Sequence, residues 1–253
     1  MYKPQQLLFL VFVLTVFYAC TKAGSPINPL QEISGYSFRY DVNRIKNTDN
    51  SNITVSANGD SILTTTKSNG SWLLSNLQTG IYTFSFSYPG CGTMKIFGTR
   101  LIGGYQALDA VSLYPVPLYN VTLNSDSVSS DGFGVYLYGF FSGQLPSSPC
   151  IHLFFGKNIN VSSDATNYIY DFAFTIEGAL DNIEFEIVFP SELFISNGFN
   201  SGDTVYVGAY TDCLLAQSYN SNARIFYIDP DTDKKIYPNL NPIRSNVLKF
   251  ILL

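Results

Sequence analysis

Between turn residues, apolar and polar side chains alternate with a period of two along nearly the whole chain, and no stretch sustains a period of 3.6. Successive side chains of a strand point to opposite faces, so this pattern specifies half-buried strands and an all-β fold. The clearest case is Tyr168 to Ile176, where Tyr168, Tyr170, Phe172, Phe174 and Ile176 share one face. In Asn182 to Phe189 the set Ile183, Phe185, Ile187 and Phe189 stands opposite Glu184 and Glu186. Both apolar sets are expected to face a core, with the two glutamates on the solvent side.

The same reading predicts strands at Tyr36 to Val42, Ile53 to Ala57, Ser61 to Thr66, Trp72 to Ser75, Ile81 to Tyr88 and Met94 to Gly98. Further along it predicts Tyr119 to Asn124, Gly134 to Phe141, Ile151 to Phe155, Thr204 to Thr211, Ile225 to Ile228 and Asn246 to Leu252. Asn58-Gly59-Asp60 and Ser68-Asn69-Gly70 supply the positive φ that tight hairpins demand. Only Ser191 to Phe194, after Pro190, reads as a helical turn. Pro115-Val116-Pro117 cannot donate within a ladder, which puts a domain boundary there, between units at 31–115 and 118–253. With 20 Phe among 253 residues, two cores can form without metals, each buried Phe contributing about 1.5 to 3 kcal/mol. A net charge of −5 excludes the basic surface that nucleic acid requires, and 46% hydrophobic residues exclude disorder.

The N-terminus reads as an address. Lys3 precedes an apolar run from Leu7 to Ala19 that is too short to span a bilayer and fits the h-region of a signal peptide. The junction Ala19-Cys20 resembles a bacterial lipoprotein box, although Phe17-Tyr18 departs from its usual pattern. The resemblance implies cleavage after residue 19, acylation of Cys20 and a lipid bilayer as partner through that residue. Residues 20–30, with Gly24, Pro26 and Pro29, then form a tether. The mature chain would carry a net −6 and gain nothing from anionic lipid.

Residues 64–93 run Thr64-Thr65-Thr66, the turn Ser68-Asn69-Gly70, the short apolar Trp72-Leu73-Leu74, then Leu77-Gln78-Thr79-Gly80-Ile81-Tyr82. An alternating strand follows, ending Pro89-Gly90-Cys91-Gly92. This succession resembles the carboxypeptidase regulatory-like repeat, a transthyretin-like sandwich, with Cys91 where the family has an aromatic. Gly80 is expected to permit the tight turn before the buried Tyr82, Phe84 and Phe86. The second unit resembles an immunoglobulin or fibronectin type III sandwich through Gly202-Asp203-Thr204-Val205-Tyr206-Val207-Gly208-Ala209-Tyr210. Together the resemblances imply two consecutive β-sandwiches in an outer-membrane-anchored lipoprotein, facing the cell surface or the periplasm. Its function would be that of a non-catalytic binding or assembly module, a carbohydrate-binding lipoprotein of a polysaccharide-uptake system, or an accessory to an envelope enzyme. Exposed aromatics at one sandwich end would mark the glycan binder, and an open edge strand the assembly subunit.

With Cys20 acylated, Cys91, Cys150 and Cys213 remain, an odd number. Fibronectin-like strand order would bring Cys150 and Cys213 to adjoining strand ends and imply a disulfide between them; three free buried thiols is the alternative. Cys150 and His152 share a strand face, but no orienting group or oxyanion hole accompanies them, and His152 reads as structural. Asp229-Pro230-Asp231-Thr232-Asp233 begins like a calcium loop, yet Lys234 and Leu240 stand where an EF-hand needs Gly and Glu. A hairpin tip between Ile225 to Ile228 and Lys235 to Tyr237 is expected instead, with no metal or cofactor and no catalytic residue.

Overall fold

The computed structural model describes residues 31–59, 61–124, 129–130, 134–176, 184–213 and 226–253. Cys20, the leader and the tether therefore lie outside the described residues, as do Asp60, Ile183 and Ile225. The described residues form strands throughout, with one short helix among them.

Its first half forms two four-stranded sheets that face each other. One is built from β1 (Gln31–Arg39), β4 (Ser71–Leu77), β7 (Gly104–Ala107) and β8 (Val111–Leu113). In it β4 runs antiparallel to β1, whereas β7 and β8 both run parallel to β1 and follow one another along its other edge. The second sheet has the order β3-β2-β5-β6, from β2 (Thr54–Ala57), β3 (Ile62–Thr65), β5 (Gly80–Ser87) and β6 (Met94–Leu101). Between them Ile33, Trp72, Leu74 and Leu113 meet Val55, Phe84, Phe86 and Met94 in one buried cluster. The expected turns form, with Asn58, Gly59 and Gly70 all at positive φ. The expectation for Gly80 is corrected. Its φ is ordinary, and the left-handed residue nearby is Asn76, at φ 62 in β4. Tyr82 instead closes this turn by donating its hydroxyl to the Gln78 carbonyl at 3.0 Å.

The second half pairs a sheet of β9 (Asn120–Leu123), β10 (Ser129–Ser130), β11 (Gly134–Ser142) and β14 (Glu184–Pro190) with one ordered β13-β12-β15-β18. The latter contains β12 (Cys150–Gly156), β13 (Tyr170–Thr175), β15 (Thr204–Asp212) and β18 (Leu248–Ile251). The core between them holds Val135, Leu137, Phe141, Phe185 and Phe189 against Ile151, Leu153, Phe155, Val207 and Phe250. Glu184 and Glu186 are exposed, as the alternation requires. Helix α1 (Ser191–Ser196) extends the expected turn and drives Phe194 into one end of this core.

Two differences from the alternation matter for function. Tyr168 leaves the face of Tyr170 and Phe172 and packs with Phe154, Val161 and Tyr210 on the outer side of the sheet. That outer side is covered by Tyr237, Leu240 and Val247, from a chain segment that also carries the hairpin β16 (Tyr227–Ile228) and β17 (Lys235–Ile236). Consequently β12 is buried along its entire length, on both faces.

The halves meet through the loop before β2, through residues 114–119 and through the turn after β5. Gly92 in that turn lies against the backbone at Pro238; a Cβ there would sit 2.0 Å from the Pro238 carbonyl oxygen and 2.7 Å from Asn239 Oδ1. Backbone on both sides cannot yield cheaply, so Gly92→Ala is expected to cost about 1 to 3 kcal/mol as an overpacking change. Thermal denaturation measures it; an unchanged melting temperature would show that the two surfaces are not apposed.

Candidate functional site

The outer layer over β12 encloses a polar network that the sequence did not reveal. His152 is paired by register with Tyr210 of β15 and Ala173 of β13, so its diagonal neighbours on the same face are Asp212 and Asp171. The ring uses both: Nε2 lies 3.1 Å from Asp171 Oδ2 and Nδ1 lies 3.4 Å from Asp212 Oδ2. Tyr237 donates its hydroxyl to the same Asp171 oxygen at 2.6 Å and sets its ring edge-on to the imidazole, at 4.1 Å between centroids. Phe154 stacks on the imidazole at 4.7 Å. Two carboxylate oxygens facing two ring nitrogens favour an N–H on each, the arrangement of an imidazolium. Burial alone would lower the His152 pKa, but the hydrogen bonds and charges of Asp171 and Asp212 together outweigh it and raise it. Burial acts upward on Asp171, and its hydrogen bonds from His152 and Tyr237 reverse this to a net lowering.

This arrangement bears on the expectations for Cys150, Cys213 and His152. No ring nitrogen of His152 is left to take a proton from Cys150, and burial, with the Asp212 charge second, pushes that thiol well above its ordinary pKa. The expected adjacency of the Cys150 and Cys213 strands is present, since β12 and β15 are antiparallel neighbours. Their cysteines, however, are both free, as is Cys91. The register pairs Cys150 with Asp212, so Cys213 comes one residue later and directs its Sγ to the Pro115 carbonyl at 2.8 Å. A chain unfolded without reductant is expected to alkylate at all of Cys91, Cys150 and Cys213, with Cys91 the first of the three to react in the native state because it is partly exposed and the other two are buried. Mass spectrometry reads this; a species two hydrogens lighter would show a bridge.

The run at 229–233 forms the expected hairpin tip. Asp229 N–H donates to Lys234 O, Asp233 N–H to Asp229 O, and the Thr232 hydroxyl to Asp229 Oδ2 at 2.5 Å. Among the described residues no group of three or more His, Cys, Asp or Glu is arranged to hold a metal ion.

Exposed aromatics do gather, though on a sheet face and not at a sandwich end. On the outer side of the β4-β1-β7 sheet, Leu73 is paired by register with Ser34, and the Tyr105 hydroxyl lies 2.5 Å from the Ser34 hydroxyl. Tyr36 follows on the same face of β1, about 7 Å along the strand. Tyr36, Leu73 and Tyr105 are 51%, 46% and 66% exposed. Glu32 completes this face, accepting a hydrogen bond from the Ser75 hydroxyl at 3.3 Å. The result is a flat strip of ring and alkyl surface edged with hydroxyls and one carboxylate. Tyr105 was missed because β7 is a short strand that opens on Gly104, directly after Gly103, in a stretch that reads as loop.

No protein-family model and no curated protein matches the chain. Among solved structures, a putative carbohydrate binding protein from Bacteroides uniformis is 12% identical, covering 88% of this chain and 100% of that one, with a TM-score of 0.32. A DUF3823 family protein from Parabacteroides merdae is 12% identical over 88% of this chain and 98% of that one, with a TM-score of 0.29. An interface mutant of a type II cohesin-X-dockerin complex from Acetivibrio cellulolyticus is 18% identical over 34% of this chain, with a TM-score of 0.30; the match spans 58% of that chain. At such identities and scores these likenesses carry no argument about ligand or activity.

Proposed function

We propose that the chain is a lipid-anchored, non-catalytic binding module of the bacterial cell envelope, and that it binds polysaccharide on the outer face of the β4-β1-β7 sheet. The observation that carries this reading is the strip formed by Tyr36, Leu73 and Tyr105 around Ser34. Exposed rings on a sheet backbone that hydrogen bonds hold rigid suit the apolar face of a sugar ring, while Ser34, Ser75 and Glu32 suit its hydroxyls. The reading as two consecutive sandwiches, 31–115 and 118–253, is supported by two separate buried clusters, one ending at Leu113 and the other beginning at Tyr119. Anchoring rests on Cys20 after the apolar leader. Labelled palmitate is expected to enter the wild-type chain and not Cys20→Ala; equal labelling would remove the anchor.

Binding is tested by electrophoretic retardation in gels carrying a panel of neutral and acidic polysaccharides. At least one is expected to retard the wild type, with the retardation lost in the double variant Tyr36→Ala, Tyr105→Ala. Both side chains are exposed, so the double variant should keep its melting temperature within about 1 °C. Retardation by none of the panel, or equal retardation of the variant, would overturn the glycan reading.

A further inference from the structure

A second site lies away from the sheet face, where the two halves meet. The loop before β2, the segment at 117–119 and the turn between β11 and β12 form a narrow cleft, open to solvent, with about 90 Å³ of enclosed space. Its walls are mostly apolar: Val42, Pro117, Leu118, Leu145 and Pro146. Leu118 stands at the rim, 89% exposed.

Among the described residues one cation lines this cleft. Arg44, held at φ 66, donates Nη2 to the Ser148 carbonyl at 2.6 Å and Nε to the Cys213 carbonyl at 3.1 Å. Ser148 and Cys213 also line the cleft, so these two bonds lay the guanidinium along its wall in a fixed orientation. Both acceptors are neutral. Among the described residues no carboxylate lies within 4 Å of the guanidinium. The acid that lines the same cleft, Asp212, is committed elsewhere: Oδ1 accepts the Cys213 N–H at 2.7 Å and Oδ2 faces His152. Asp41, at the start of the loop, accepts the N–H groups of Asn43 and Ile45. A partly buried, oriented guanidinium with no carboxylate within 4 Å among the described residues, next to an apolar trough, is complementary to an anion that carries an apolar body.

We propose that this cleft binds a small carboxylate with an unbranched apolar tail, the carboxylate paired with Arg44 and the tail lying along Val42, Leu118 and Leu145. The commitment to carboxylate over cation or alcohol follows from the charge of Arg44, and the commitment to a slender tail follows from the size of the enclosed space.

The test is isothermal titration of sodium decanoate into the full chain without detergent, with decan-1-ol and decylammonium as matched tails bearing no charge and the opposite charge. Decanoate is expected to bind saturably at one per chain, and the other two at least tenfold more weakly. Leu118→Asp is expected to weaken decanoate at least tenfold with an unchanged melting temperature, because Leu118 contributes little to folding. Arg44→Gln is expected to abolish the preference for decanoate over decan-1-ol; should this variant fail to fold, the ligand series and Leu118→Asp decide alone. Absence of saturable decanoate binding, equal affinity for the three tails, or an undiminished Leu118→Asp would overturn the proposal. Because Leu118 and Tyr105 sit on different parts of the chain, loss of either site leaves the other to be judged separately.

Discussion

Replacing His152 with Leu is expected to destabilise the folded chain by about 3 to 5 kcal/mol at pH 5.5, because it leaves Asp171 and Asp212 buried without the cation between them. The penalty should depend on pH in a direction the network fixes. A histidine whose folded pKa is raised contributes stability that is fully present below its unfolded value of 6.5 and is lost as pH rises through the folded pKa. Asp171 has a lowered folded pKa, so its contribution is present above the unfolded value of 3.8 and is lost as pH falls through the folded pKa. The wild type should therefore exceed the variant by most between these limits, and the gap should narrow toward pH 9. Urea denaturation of both proteins at pH 5.5 and pH 9 measures this. A gap that is equal at the two pH values would show that folding leaves the His152 pKa unshifted, and one that widens toward pH 9 would show an imidazole kept neutral when folded; either result would contradict a network that holds it charged.

Phe194→Ala is expected to cost about 3 to 5 kcal/mol, in the range for deleting a fully buried phenylalanine. Helix α1 has six residues, too few for an independent helix, so it exists because its one large buried side chain is seated. Phe194 meets Phe155, Phe189, Phe199 and Phe250 at centroid distances of 5.1 to 6.0 Å, mostly edge to face. Removing it opens the end of the second core where strands from both sheets converge. Ile195, the next residue and 51% exposed, provides the control: Ile195→Ala should cost less than about 0.5 kcal/mol. Comparable losses in the two variants would mean that the helix is held by its backbone and not by the phenylalanine.

How far the residues alone reveal this architecture depends on how many neighbours a strand has. Where one face meets a core and the other meets water, alternation suffices: Tyr82, Phe84 and Phe86 are buried as their spacing requires, and Glu184 and Glu186 are exposed. Strand β1 was read five residues late. Its first part, Gln31-Glu32-Ile33-Ser34-Gly35, is mostly polar, and Gly35 is there because Trp72 packs across it, with a Cβ at that point only 2.7 Å from the indole. Strands β7 and β8 were missed because each is only three or four residues long and pairs in parallel with a strand some seventy residues earlier, a relation local pattern does not carry.

The buried network shows the same limit from the other side. Alternation correctly puts Cys150, His152 and Phe154 on one face of β12 and Asp171 opposite the Phe172 and Phe174 face of β13. Nothing local announces that Tyr237, Leu240 and Val247 will fold back over that face. One clue was available: Asp171 is the sole acid in a strand of aromatic residues, and a lone histidine two positions from a cysteine needs partners if it is buried. The register places Cys213 one residue beyond the partner of Cys150, a detail that the resemblance to a fibronectin-like sandwich could not specify.

The glycan reading is tested most directly by mapping chemical-shift changes on the isotopically labelled chain as a retarding polysaccharide is added. The largest changes are expected at Ser34, Tyr36, Leu73 and Tyr105, with Val42 and Leu118 unmoved. Changes centred anywhere else, or a chain that no polysaccharide perturbs, would contradict the assignment of this sheet face as the binding surface.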